Sequence, residues 1–339
     1  IMLPEYALRT TLRMLVAMLA ALLFTLVYGT LAARSRRAEK ILIPVLDILQ
    51  SVPVLGYLAF TVTFFIALFP GQVLGVELAA IFAIFTSQAW NMTFSFYQSL
   101  RTVPRDLLEV SCGFHLTPWQ RFWKLDVPFS MPGLLWNMMM SMSGGWFFLV
   151  AAEAISVAGQ DIKLPGIGSY IAVAIEARNV SAIAWAIAAM LTGILLYDQL
   201  FFRPLLAWAD KFRFEESQGD TAQRSWLLDM LRNNVWTHAF SHFVWSQLRR
   251  ALNWFPRRYD GTSVKAKPAQ QHSHWTRIWE LLLLLAGLVA LVRLIIFVHS
   301  DVGWQEALHV AGLGLLTLTR VLLLIGLASL IWVDRKSVV

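Results

Sequence analysis

The stretch LRMLVAMLAALLFTLVYGTLAARSRRAEK, residues 12–40, decides the fold. Leu12 to Ala33 is an apolar run, and about twenty such residues span the hydrocarbon core of a bilayer as a helix. Arg34-Ser35-Arg36-Arg37 and Lys40 close it with a basic knot, the mark of a helix end facing the cytoplasm. Further runs follow at Ile41–Phe69, Val76–Leu100, Phe129–Val157 and Ser181–Leu206. Two more, Trp279–Val298 and Val310–Val333, lie beyond a charged, tryptophan-rich stretch at 207–275. The second run carries Ser51-Val52-Pro53, where proline removes a backbone donor and bends or splits the helix. Pro70-Gly71 marks a turn, and Leu164-Pro165-Gly166-Ile167-Gly168 a tight turn or re-entrant bend.

Composition agrees. The chain is 58% hydrophobic and 14% charged, against nearly half and about a quarter in soluble domains. The net charge of +7 is gathered in three loops, at 34–40, 101–124 and 211–267, while the loops between them carry few bases. Alternating helices put all three on the cytoplasmic side, with five spans before the long linker and two after it. This is membrane patterning, and nucleic-acid binding is not expected. The single cysteine, Cys112, allows no internal disulfide and no cysteine-based metal site. The expected fold is all-α, a polytopic transmembrane bundle in the lipid bilayer. In the linker, apolar residues at helical spacing and Trp226, Trp236, Trp245 and Trp254 suit interfacial helices. His238 and His242 there are one helical turn apart but lack a third ligand, so solvated side chains are expected.

Both ends read as cut. The chain starts at Ile1, already inside structure, and 334–339, Asp-Arg-Lys-Ser-Val-Val, read as a translated sequencing adapter. A faint internal repeat pairs Thr10-Thr11-Leu12-Arg13-Met14-Leu15 with Thr317-Leu318-Thr319-Arg320-Val321-Leu322. The expected domains are a first transmembrane unit at 1–210 lacking its first helix, a cytoplasmic linker at 211–275 and the first two helices of a second such unit at 276–333.

Residues 101–128, RTVPRDLLEVSCGFHLTPWQRFWKLDVP, carry the functional reading. Pro104 suits a first helical turn, and that helix runs to about Phe114. Thr117, Pro118 and Gln120 form a capping box for a second helix ending before Pro128. Such a rigid amphipathic pair on the cytoplasmic side suits a groove in another protein. The segment resembles the EAA loop of binding-protein-dependent ABC importer permeases. Glu109-Val110-Ser111 stands for its first element and Leu125-Asp126-Val127-Pro128 for its last. Trp119-Gln120 with Phe122-Trp123, Leu49-Gln50-Ser51-Val52-Pro53, and Glu153 with Gly166-Ile167-Gly168 resemble the nitrate/sulfonate/taurine type, and the repeat resembles duplicated anion-transport permeases. The family glycine falls at position 115, occupied by His115, with Gly113 two residues earlier.

The resemblance implies a type I ABC importer permease fold. It also implies docking on separate ABC ATPase subunits through Glu109, Ser111, Gly113, His115, Thr117, Pro118, Trp119, Leu125 and Pro128. A periplasmic solute-binding protein and a small anion such as nitrate, a sulfonate or bicarbonate come with it, as does an inner-membrane location. ATP and Mg would be held by the partner: this chain has no Gly-x4-Gly-Lys-Ser/Thr loop, so no cofactor of its own is expected. Gln50, Ser51, Gln88, Asn91, Ser143 and Trp146 are candidates for a translocation pathway, with helix–helix packing as the competing role. Ser141 shares that ambiguity. Glu153 is expected at the outer end of its helix or paired with a base, and Arg13 and Arg320 are expected to snorkel. An ion-driven secondary transporter would need ionisable residues at mid-membrane in both halves, and an intramembrane enzyme a catalytic cluster; neither pattern stands out.

Overall fold

The computed structural model describes residues 3–52, 54–70, 72–154, 164–212 and 274–334. They fall into two compact units, 3–212 and 274–334. The proposed linker helices, the interfacial tryptophans, His238, His242 and residues 335–339 lie outside the described residues.

In the first unit the order is α1 (Leu3–Arg34), α2 (Arg36–Ser51), α3 (Val54–Leu68), α4 (Val73–Arg101), α5 (Arg105–Gly113), α6 (Pro118–Arg121) and α7 (Val127–Ala154). Then come α8 (Ile167–Glu176), α9 (Val180–Tyr197) and α10 (Arg203–Ala209). The second unit holds α11 (His274–Phe297) and α12 (Trp304–Asp334). Among the described residues, five helices are long and apolar enough to cross a membrane: Leu3–Arg34, Val73–Arg101, Pro118–Ala154, Val180–Ala209 and Trp304–Leu330. The protein is thus an all-α, multi-spanning bundle.

α4 is the central helix and packs on α1, α3 and α7. Small residues permit this: α1 presents Ala17, Ala21 and Gly29, and α4 presents Ala79, Ala80, Ala83 and Ala89, all buried. In lipid there is no hydrophobic drive between helices, so close backbone approach and dispersion hold them together. At Gly29 a Cβ would sit 2.7 Å from the Phe96 ring, so glycine is what lets that ring approach α1 so closely. Met14, Met18, Met92, Met138 and Met142 fill the space between the three long helices, where flexible thioethers suit an irregular seam.

The run 41–69 is split at Ser51-Val52-Pro53, one of the two outcomes expected there, and forms two helices. α2 buries only Leu46 among its described side chains, and α3, with 15 residues, measures about 22 Å against a core of ~30 Å. Ser35 explains the start of α2, since its hydroxyl accepts the Ala38 N–H at 3.3 Å. The expectation that the second knob helix ends before Pro128 fails. It runs from Pro118 through a π turn at Phe122–Asp126 into α7, giving one 37-residue helix. The wider turn, closed by Val127 N–H on the Phe122 carbonyl, lets the chain pass a proline that has no N–H to give.

Candidate functional site

Two polar clusters stand at opposite ends of the α1–α4–α7 bundle. At the basic end is the knob. Pro104 precedes α5, and α5 ends in a turn that returns its last carbonyls to the chain. His115 N–H donates to Cys112 O at 2.9 Å and Leu116 N–H to Ser111 O at 3.1 Å. That pattern requires a left-handed residue at position 115, and His115 has φ +49°. The left-handed residue that closes this turn is therefore His115 itself. Gly113 instead ends the helix with open space around it. His115→Gly is expected to raise stability by ~1 kcal/mol by relieving the left-handed backbone. Gly113→Ala is expected to add up to ~1 kcal/mol through helix propensity. Thermal unfolding in detergent checks both, and a lowered midpoint for either would contradict this turn.

Thr117 then starts the long helix. Gln120 N–H donates to its hydroxyl and Thr117 N–H to the Gln120 side chain, both at 3.2 Å, so the expected capping box is present. Ser111 and Thr117 are buried, and Leu125 and Pro128 are half-buried at the root of the knob. Glu109, Val110, Gly113, Phe114, His115, Pro118 and Trp119 are exposed, Phe114 by 75%. Trp119 also stacks into an aromatic group with Phe122 and Trp123. The root is tied to α1: Arg34 donates to Asp126 at 3.0 Å and to the Pro118 carbonyl at 3.1 Å. α2 is tied to α4 by Tyr97 O–H on Glu39 at 2.5 Å, with Arg101 3.5 Å from the same carboxylate.

The second cluster is built on Arg13. Arg13 is 21 residues from Arg34, about 31 Å along a helix, which places the cluster at the far side of an apolar core. It does not snorkel. Its guanidinium makes two bonds to Glu77, at 2.5 and 2.6 Å, and one to Glu153 at 2.6 Å; Arg13 is 5% exposed and Glu153 fully buried. It also donates to the Pro165 carbonyl at 3.0 Å. Thr10 donates to Glu153 at 2.8 Å and accepts the Ile167 N–H at 3.0 Å. Gly168 N–H donates to the other Glu153 oxygen at 2.8 Å, so this carboxylate caps the N-terminus of α8. Glycine is needed at 166 and 168 for close approach rather than for a special φ. A Cβ at 166 would fall inside the Glu153 carboxylate, and one at 168 against the Val150 carbonyl. Both alternatives for Glu153 hold at once: it ends α7 and is paired with a base. Glu77 and Thr10 carry no mark in the sequence beyond the Thr-x-x-Arg spacing that recurs at Thr317 and Arg320.

The pathway candidates do not converge. Gln50 and Ser51 are exposed at the end of α2, and Ser51 bonds back to the Asp47 carbonyl at 2.7 Å. Gln88 and Trp146 are inside the bundle. The Gln88 amide nitrogen meets the Met14 sulfur at 3.4 Å, and its oxygen has no partner among the described residues. Asn91 and Ser143 are exposed on α4 and α7, with Ser143 bonded to the Met140 carbonyl. Ser141 is buried, and its hydroxyl has no partner among the described residues.

Residues 7–202 match the model of a family described as binding-protein-dependent transport system inner membrane component. A glycine betaine/proline betaine transport system permease protein of Escherichia coli is 34% identical over 159 residues, 45% of this chain and 43% of the relative. A nitrate import permease protein of Synechocystis is 28% identical over 188 residues, covering 54% and 62%. A taurine transport system permease protein of Escherichia coli is 25% identical over 174 residues, covering 51% and 60%. The chain spans about half the length of the curated relatives it matches.

Proposed function

The chain belongs to the family of binding-protein-dependent transport system inner membrane components, and on that premise we propose that it is the permease of an ATP-binding cassette importer, driven through the knob at 101–128 by a separate ATPase. The observation that carries the proposal is a stiff, doubly capped knob at the basic end with an apolar tip. Val110, Phe114 and Trp119 are exposed beside Glu109, while the root of the knob is buried and ion-paired to α1. An exposed apolar tip on a rigid base supports a docking role, because little ordering is needed when it enters a groove.

The solute is proposed to be a small molecule carrying an oxyanion group, delivered by a periplasmic binding protein. The names of the relatives support the class: betaine carries a carboxylate, taurine a sulfonate, and nitrate is itself an oxyanion. A plain anion of the nitrate, sulfonate or bicarbonate kind is the first reading. The higher identity to the betaine permease favours a carboxylate zwitterion as the second. Asn91 and Ser143, polar and exposed on spanning helices, are proposed to face the pathway, and Gln88 and Trp146 to support it from inside the bundle. The repeat supports reading 1–210 as one permease unit, 211–275 as its cytoplasmic linker and 276–333 as a second copy of the opening helices. An ion-gradient mechanism is disfavoured, because Glu77 and the buried Glu153 sit at one end of the bundle and both are held by Arg13.

The test is uptake of labelled nitrate, bicarbonate, taurine and glycine betaine by cells carrying Glu109→Lys or Phe114→Asp. Loss of an apolar anchor weakens docking by about 30-fold, ~2 kcal/mol. Transport of the solute that the unaltered chain carries should vanish while membrane insertion stays normal. Unchanged uptake in both variants sinks the coupling role.

A further inference from the structure

We propose that Arg34 is the positioning residue that makes α1 move with the knob; this rests on the coupling role argued above. The knob enters α7 through a π turn, a register shift in which one residue bulges and the helix is locally widened. A handle joined to its shaft by such a turn would flex unless the helix before the turn and the end of the turn were held together. Arg34, the last residue of α1, bridges the two. One guanidinium nitrogen donates to the Pro118 carbonyl at the start of the segment and to Asp126 at its end, and the guanidinium lies 5.8 Å over the Phe122 ring between them. Asp126 is 3% exposed and receives a second, longer contact of 3.4 Å from Arg121. A buried carboxylate holds its cation tightly, and losing Arg34 would leave Asp126 only the longer Arg121 contact.

The other end of α1 carries Arg13, which is bonded to Glu77 of α4 and Glu153 of α7. A displacement of the knob therefore reaches the far cluster by two routes, along α7 directly and along α1 through Arg34. Without Arg34 only the first remains, and the turn is free to bend. Docking and transmission then separate, since Val110 and Phe114 are untouched while the link behind them is cut.

The experiment uses the full chain with Cys112→Ala, Leu31→Cys and Gly113→Cys, spin-labelled in lipid nanodiscs. Cys112 is the sole native cysteine, Leu31 is exposed on α1, and Gly113 has open space around it. Arg34→Gln is expected to broaden the distance distribution between the labels about two-fold. In unlabelled chain it should leave co-purification of the ATPase unchanged and lower uptake of the four labelled solutes per ATP hydrolysed by roughly ten-fold. If Arg34→Gln fails to insert, Arg34→Gln/Asp126→Asn, which leaves no unpaired buried carboxylate, is measured the same way. An unbroadened distribution with unchanged uptake per ATP overturns the proposal. If the unaltered chain carries no ATPase, the docking role falls, and the label distances alone decide whether Arg34 holds the knob.

Discussion

Arg13→Met is expected to destabilise the first unit by about 3–5 kcal/mol, the usual cost of breaking a buried ion pair from one side. The loss is not the worth of the pair itself. It is the cost of leaving the Glu153 carboxylate, fully buried, facing only the Thr10 hydroxyl and one backbone N–H. Glu77 is 27% exposed and can be reached by water, so it contributes the smaller part. Arg13→Met/Glu77→Gln/Glu153→Gln has no stranded charge, and it should recover most of the lost stability even though it has fewer ionic contacts. Thermal unfolding of the purified chain in detergent measures both. A single-variant loss below about 1 kcal/mol, or a triple variant no better than the single, would show that the cluster is not an electrostatic clasp.

Gly168→Ala is expected to cost about 2–3 kcal/mol, at the upper end for forcing a methyl group into a closed site. The added Cβ would meet the Val150 carbonyl oxygen, which is backbone inside α7 and cannot swing aside. Relief requires α8 to back away, and this breaks the Gly168 N–H bond to Glu153 and the Ile167 N–H bond to Thr10. Gly166→Ala meets a side chain instead, the Glu153 carboxylate, and should disturb Arg13 in turn. Gly144→Ala is the internal control, for no atom lies within 4 Å of its added methyl, and it should be neutral or slightly stabilising. The same melts decide the matter. Equal midpoints for Gly144→Ala and Gly168→Ala would mean that α8 does not press on α7 as described.

Much of this protein is written locally. Long apolar runs predict helices because every backbone group in lipid must be satisfied within the segment, and α1, α4, α7 and α9 follow. The Thr117–Gln120 box is likewise a matter of three residues and appears as expected. Where a local rule had two outcomes, the neighbourhood chose. Pro53 allowed a bent helix or two helices, and two were formed. Pro128 marked a boundary by propensity, yet a π turn carries the helix through it. His115 is an unfavourable residue for a left-handed turn, but the carbonyls at the end of α5 still need donors, and the turn forms around it.

By itself the amino-acid order determined the helical kind of the elements, the basic side of the bundle and the presence of a capped knob, since propensity, hydropathy and capping act within a few residues. Only the tertiary structure decided what the charged residues inside those elements do. Arg13 and Glu153 are 140 positions apart, and Arg34 and Asp126 are 92 apart. An arginine in an apolar run can snorkel to water or pair with an acid, and nothing within a helical turn distinguishes the two. The choice depends on which helix packs against it, and small residues on α1 and α4 let the bundle close tightly enough to bring the carboxylates within reach.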